Sequence, residues 1–286
     1  MNRVNLQAQI DHKVVISFKE FLQNKIFTKG RAFTNTTGLY YHMTGQLDQN
    51  VTVYASPYRP LIYDASISGA TIITGVSGNG TLINKGTSGL SFDYDQNRIL
   101  FTTDPGVAQF SGTFALADYT IKYTTKSEDD ILLNTRYVPN ANFNQVTTGL
   151  DENVETYPLV YINYDPGTNE GRALGGLDST EFSFSCYCIL DNEYVLDGVL
   201  GIMRDMNQVQ FGLFDTSEYP FNISGDLNNI NYNYTGLMAS KSWPNAAHVE
   251  KVTSSKLSRE IMRQFGPNIF IGVVDVECSL SRWPRQ

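Results

Sequence analysis

The stretch Ser56–Thr103, SPYRPLIYDASISGATIITGVSGNGTLINKGTSGLSFDYDQNRILFTT, sets the architecture of this chain. β-Branched and aromatic residues come in strand-sized patches, and Gly, Asn, Asp or Ser separates them every several residues. That is the punctuation of successive hairpins. Thr71–Val76 and Thr81–Lys85 read as strands joined at Gly78-Asn79-Gly80, and Gly86–Gly89 makes the next turn. Leu90–Tyr94 and Arg98–Thr102 pair around Asp95-Gln96-Asn97. The block is poor in catalytic side chains and points to a scaffold or assembly surface.

Upstream, Val14, Phe18, Phe21, Leu22 and Phe27 fall near a 3.6-residue stripe with Lys19, Glu20, Gln23 and Asn24 opposite. This predicts an amphipathic helix over Val14–Lys29, stopped by Gly30. Val51–Ser56 is a strand, and Pro57 and Pro60 interrupt the pairing after it. Downstream, Phe110–Tyr123 reads as a half-buried strand, and Ser127 opens a helix to about Tyr137. Pro139–Tyr157, rich in Asn, Thr and Gly, reads as a linker or long surface loop.

The second half is mixed. Leu159–Tyr164 and Glu181–Leu190 are strands, with Asp165-Pro166-Gly167 and Gly171–Gly176 as a mobile loop between them. A helix over Asn192–Met206 buries Val195, Val199, Ile202 and Met206. Val209–Phe214 is a strand, Glu218–Asn245 is loop-rich, Ser255–Phe265 is a helix and Asn268–Leu280 is a long final strand. The fold class that follows is α+β. A β-rich sandwich or barrel-like domain with an amphipathic helix spans 1–150, and a mixed sheet with two packed helices spans 151–286.

Composition narrows the function classes. The 286 residues are 41% hydrophobic and 17% charged, with 16 Phe and 17 Tyr, which supplies packed cores and argues against disorder. The net charge of −8 is unevenly spread. Residues 1–150 hold 12 Lys and Arg against 11 Asp and Glu, and residues 151–286 hold 9 against 18. An acidic second half argues against gripping a phosphate backbone. The opening MNRVNLQAQIDHKVV lacks the apolar run of a signal peptide, and no stretch is long enough for a membrane helix. The expectation is a soluble protein made in a cytoplasm. Three cysteines are a poor disulfide framework.

No chemistry assembles from the sequence. His12, His42 and His248 lie at no metal-ligand spacing and read as surface residues. Cys186 and Cys188 share a strand face with Phe182, Phe184 and Leu190, so they read as core thiols. Gly75–Gly80 is glycine-rich but lies between strands, which makes it a turn rather than a phosphate cradle. Asp93 and Asp95 flank a tight turn, where Asp is favoured for local reasons. Five Asn-x-Ser/Thr sites, at Asn35, Asn50, Asn79, Asn222 and Asn233, reflect composition. No catalytic, cofactor-binding or metal-binding residue is assigned, and no enzyme activity or cofactor is expected.

Four segments carry a family resemblance: Gly30–Asn35, Ser56–Arg59, Ser66–Ala70 and Leu90–Tyr94. They resemble virion structural proteins of tailed bacteriophages, most nearly those of marine and cyanobacterial phages in the neck and tail region. The second half is similar in outline to tail-terminator and head-to-tail connector proteins. The resemblance implies a homo-oligomeric ring between capsid and tail, assembled in the host cytoplasm and carried in the virion. Its partners would be other neck, tail or portal proteins. DNA would pass through without specific binding, past an acidic wall, and no membrane is involved. The candidate arms toward neighbours are Met1–Asp11, Gly167–Ser179 and Ser281–Gln286. A second reading is a β-domain binding module of a phage tail, an adhesin or carbohydrate binder, with Tyr40, Tyr41, Tyr54 and Tyr58 on one sheet face.

Overall fold

The computed structural model describes residues 10–43, 51–56, 60–87, 89–139, 154–172, 176–215, 217–222, 225–266 and 268–283. The fold is α+β, with a nearly closed, barrel-like first sheet and an open, half-barrel second sheet. The first sheet contains β1 (Phe33–His42), β2 (Thr52–Ala55), β3 (Gly75–Gly78), β4 (Thr81–Asn84), β5 (Leu90–Asp93), β6 (Arg98–Phe101) and β7 (Gln109–Ala117), in the order β4-β3-β7-β1-β2-β6-β5. Tyr40, Tyr54, Phe92, Phe101, Phe110 and Phe114 fill its interior and are fully buried. Tyr54 meets Phe110 edge-on at 4.9 Å, a favoured aromatic geometry.

The hairpin signals hold where turn chemistry dictates them. Asn79 and Gly80 both take positive φ, 49° and 79°, between β3 and β4. That backbone matches the right-handed twist of the flanking strands, and Asn-Gly is the pair that tolerates it. Asn97, at φ 52°, closes the β5–β6 turn, and its Oδ1 accepts a 2.8 Å bond from the buried Tyr40 hydroxyl. Two expectations shift. The strand predicted over Thr71–Val76 begins only at Gly75, although the Thr71 and Thr74 carbonyls still accept bonds from Ala115 and Lys85. The strand Phe33–His42 carried no signal strong enough to predict, because Thr34, Asn35, Thr36 and Thr37 read as loop. Its nine-residue register with β7 supplies the order.

The second sheet contains β8 (Thr120–Tyr123), β11 (Leu159–Gly171), β12 (Asp178–Leu190), β13 (Gln210–Gly212), β14 (Ala246–Lys256) and β15 (Phe270–Arg282), in the order β13-β14-β15-β12-β11-β8. Only the β8–β11 pairing is parallel. The single strand expected over Phe110–Tyr123 therefore breaks at Asp118-Tyr119 and serves both sheets. The Asp118 amide bonds the Ala32 carbonyl at that crossing. The division expected at residue 150 does not follow the sheets, since β8 precedes it and belongs to the second sheet.

A helix α1 (Ile10–Gly30) is wedged between the sheets. All five residues of the expected stripe are buried, and Phe18 stacks on Phe184 of β12 at 3.9 Å, so the helix packs on the second sheet. Beside it lies α2 (Glu193–Arg204), capped by Asn192, whose side chain accepts from the Tyr194 amide. Its buried face is Leu196, Val199, Leu200 and Met203, rotated from the expected face of Val195, Val199, Ile202 and Met206, of which Val199 and, just beyond the helix, Met206 are buried. Gly272 of β15 permits the rotation. A Cβ there would stand 3.0 Å from Leu196 Cδ1 and 3.1 Å from Leu200 Cδ2.

Three further helix and loop expectations are corrected. Ser127–Tyr137 is not one helix. A π turn over Asp130–Asn134 gives way to β9 (Arg136–Pro139), which pairs in parallel with β10 (Val154–Tyr157). Tyr137 and Val138 are strand formers, and the partner strand captures them. The helix expected from Ser255 starts later, as α4 (Arg259–Phe265), because β14 holds the chain through Lys256. A short α3 (Tyr234–Met238) interrupts the loop-rich stretch. The expected Pro139–Tyr157 loop lies outside the described residues over 140–153.

The mobile loop expected over Asp165–Gly167 and Gly171–Gly176 is strand through Gly171. β11 and β12 run together to Gly171 and Asp178, across an irregularity at Asp165/Thr168. β15 continues alongside to Arg282, so the projection is a three-stranded arm. Arg282 fastens it, donating to Thr180 Oγ1 at 2.7 Å and Asn169 Oδ1 at 3.1 Å. Residues Asp165 to Gly171 are exposed.

Candidate functional site

The most unusual side chain in the wedge is Glu20. It sits on the polar side of the α1 stripe, where solvent was expected, yet it is only 4% exposed. Its neighbours Phe18, Phe21 and Leu22 bury one side of the helix against the second sheet. The Pro60–Ile67 stretch of the first half and the Asn229–Tyr234 turn cover the other. Tyr63 Oη lies 2.7 Å from Glu20 Oε1, and Tyr232 Oη lies 3.1 Å from Oε2. Burial lifts the Glu20 carboxyl from 4.5 to about 7, against the opposing pull of Lys19 and the two tyrosine bonds.

Proton counting supports the same direction. Tyr63 Oη also lies 2.6 Å from Gln23 Oε1, and a phenol has one proton to give. A protonated Glu20 donates to Tyr63, Tyr63 donates to Gln23, and Tyr232 donates to the second Glu20 oxygen. Every contact is then satisfied. An ionised Glu20 requires the Gln23 amide to turn so that its nitrogen faces Tyr63.

Asp64, also buried, anchors the next layer. Its oxygens accept from Asn24 Nδ2 at 2.9 Å, the Ser66 amide at 2.9 Å and the Tyr234 amide at 3.0 Å. These donors belong to α1, to the Asp64 loop itself and to the start of α3. A third polar tie joins Lys85, after β4, to Asp226 in the loop between β13 and α3 at 2.5 Å, with side chains only 6% and 12% exposed. The Lys85 ammonium also stands 5.1 Å from the Tyr94 ring centre. Beside this joint opens a cleft of about 400 Å³, lined by Lys19, Gln23, Asp95, Gln96, Tyr119 and Lys122 among others. The oxygens of Glu20 and Asp64 are engaged by the protein's own polar groups. The arrangement therefore links proton uptake to the fit of the helix between the sheets, and it presents no nucleophile and base in line.

The three histidines weighed from sequence meet different partners. His12 packs edge-on against Tyr219, His42 lies against Tyr54, and His248 Nε2 is 3.9 Å from Glu250. Cys186, Cys188 and Cys278 are free and buried, and burial pushes their thiols up, Cys188 to about 12. Asp93 accepts from the Gln96 amide at 3.1 Å within its turn. Among the described residues, no three His, Cys, Asp or Glu side chains cluster as metal ligands. The tyrosine face suggested for a binding module does not exist as drawn. Tyr40 and Tyr54 point into the barrel, Tyr41 is exposed, and Tyr58 lies outside the described residues.

Sequence reasoning missed two features. Glu20 was legible only as one polar residue among three large apolar neighbours. The two tryptophans, Trp243 and Trp283, each precede a proline, and the structure brings them together with ring centres 6.5 Å apart.

No protein-family model matches this chain, and no curated protein matches it. No described helix is long and apolar enough to cross a membrane.

Proposed function

We propose that the chain is a structural subunit of a tailed-phage virion, a ring-forming connector or tail-terminator protein joining capsid and tail. The observation that carries the reading is the three-stranded arm. It projects exposed residues Asp165 to Gly171 beyond the packed sheet, and Arg282 stiffens it. A rigid, polar arm of this kind is suited to crossing into a neighbouring subunit of a closed ring, where the same contact repeats. The phage-like segments and the acidic second half, past which DNA moves without sticking, support it further.

Size-exclusion chromatography with mass determination, followed by negative-stain imaging, tests the reading. The expected result is a discrete oligomer with a central channel, reduced to monomer when residues 166–176 are replaced by a short Gly-Ser turn. A parent chain that stays monomeric throughout the micromolar to millimolar range refutes self-assembly.

A further inference from the structure

The outer face of the second sheet divides into two parts. Near α4 it is apolar and covered, with Tyr161, Tyr187, Ile189 and Ile271 under Ile131 and Tyr137. Toward the arm it becomes polar and uncovered. Strand alternation puts Glu181 and Ser183 of β12, and Asp275, Glu277 and Ser279 of β15, on this one face, while Phe182, Val276 and Cys278 turn inward. The register sets Ser183 opposite Glu277, and Glu277 opposite Lys251 of β14. A shallow groove of about 550 Å³ runs here, lined by Thr168, Arg172, Glu181, Ser183, Glu250 and Glu277. Continuing along β15 by the same alternation, past Ser279 and Ser281, leads to Trp283. Trp283 meets Trp243 at an interplanar angle of 72°. Trp243 is 56% exposed, and these are the only two tryptophans in the chain.

We infer that this face is a carbohydrate-binding surface for a neutral oligosaccharide, with the Trp243–Trp283 corner stacking on a sugar ring and the groove reading its hydroxyls. An exposed indole offers a flat apolar face that suits the C–H face of a pyranose. Carboxylates, hydroxyls and a guanidinium supply the planar acceptors and donors that sugar hydroxyls need. These groups are held in place beforehand. Ser279 Oγ lies 2.5 Å from Glu250 Oε1, and Lys251 Nζ lies 3.1 Å from Glu277 Oε1. Pairing of Glu277 with Lys251 also offsets part of the negative charge, which favours a neutral polyol over a cationic peptide. The surplus of acids excludes nucleic acid and acidic polysaccharides. An interface between copies of the chain would be depleted of charge at its core, whereas Arg172, Glu181, Glu250 and Glu277 line this groove. The surface is separate from the Glu20 joint but shares Thr168 and Arg172 with the arm proposed to reach a neighbouring subunit. Sugar binding and oligomeric mass are read separately, so the failure of one is distinguishable from the failure of the other.

An array of neutral oligosaccharides, including cellohexaose, maltohexaose and chitohexaose, is probed with the full chain. Any hit is then titrated by intrinsic fluorescence, which reports directly because both indoles lie at the site. The expected result is a saturable emission change that persists in high salt. Trp243→Ala, on an exposed loop, should weaken binding about tenfold or more. Glu181→Gln, also exposed, should weaken it several-fold, with melting temperatures unchanged in both. An empty array overturns the inference. So does binding to hexalysine that is lost in salt, or a Trp243→Ala chain that binds sugar as well as the parent. A change of oligomeric mass in Trp243→Ala without sugar binding in the parent assigns the indoles to a subunit contact and also overturns it.

Discussion

Replacing Glu20 by Gln should make the protein more stable at pH 8 while leaving it nearly unchanged at pH 4.5. The groups facing Glu20 are Lys19 on its own helix, Tyr63 and Asp64 from the Pro60–Ile67 stretch, and Tyr232 and Tyr234 from the loop before and the start of α3. Burial lifts the folded-state carboxyl to about 7 from an ordinary 4.5. A raised acid holds its proton more tightly folded than unfolded, so its favourable contribution is complete below pH 4.5. It is lost as pH rises through about 7. The loss is about 3 kcal/mol, taking roughly 1.4 kcal/mol for each pH interval between the two values. Gln has the same shape and no charge to desolvate. Its amide nitrogen donates to Tyr63 and its oxygen accepts from Tyr232. Urea unfolding of both proteins at half-unit steps from pH 4.5 to 8 measures the difference. The parent should lose stability across that window relative to Glu20→Gln, with most of the loss below pH 7. A difference between the two proteins that stays constant with pH refutes the buried, proton-holding carboxyl.

Other perturbations separate the remaining forces. Asp226→Ala leaves the Lys85 ammonium buried without its partner and should cost about 3–5 kcal/mol in chemical denaturation, with Lys85→Met in the same chain restoring part of it. Phe184→Ala removes the ring that stacks on Phe18 and should cost about 3–5 kcal/mol, with a matching fall in melting temperature. Gly80→Ala meets nothing within 4 Å, so its cost of roughly 1 kcal/mol would come from the positive φ alone. Cys186, Cys188 and Cys278 should resist a thiol reagent at neutral pH in the native protein and react fully in denaturant, as counted by mass spectrometry.

Local chemistry that the chain carries in a few consecutive residues was readable in advance. The Asn79-Gly80 turn, the Asn97 turn, the alternating Glu181–Leu190 strand and the α1 stripe depend on backbone preference or a strong hydrophobic period. Neighbours reinforced those signals. Where the signal was weak or mixed, a partner element decided. β1 carries Thr and Asn yet is a strand because β7 pairs along its length. Ser127–Tyr137 looked helical from its acidic first turn, and β10 drew its second half into a sheet. Ser255 and Lys256 stay in β14 because β15 pairs with them.

The site features show the same limit more sharply. The pattern of apolar residues along the chain required two β-containing layers and a helix, because only such elements bury those periodic faces. It also placed Cys186, Cys188 and the turn aspartates among structural residues. Nothing local could show that the polar side of α1 would be covered. Glu20 holds its proton because burial raises its carboxyl, and the residues that cover it, Tyr63 and Tyr232, lie 43 and 212 residues away. Trp243 and Trp283 meet only because β14 and β15 run side by side. Strand pairing and burial between distant segments set these outcomes, since a charge or a ring changes its chemistry with the surroundings that tertiary packing supplies.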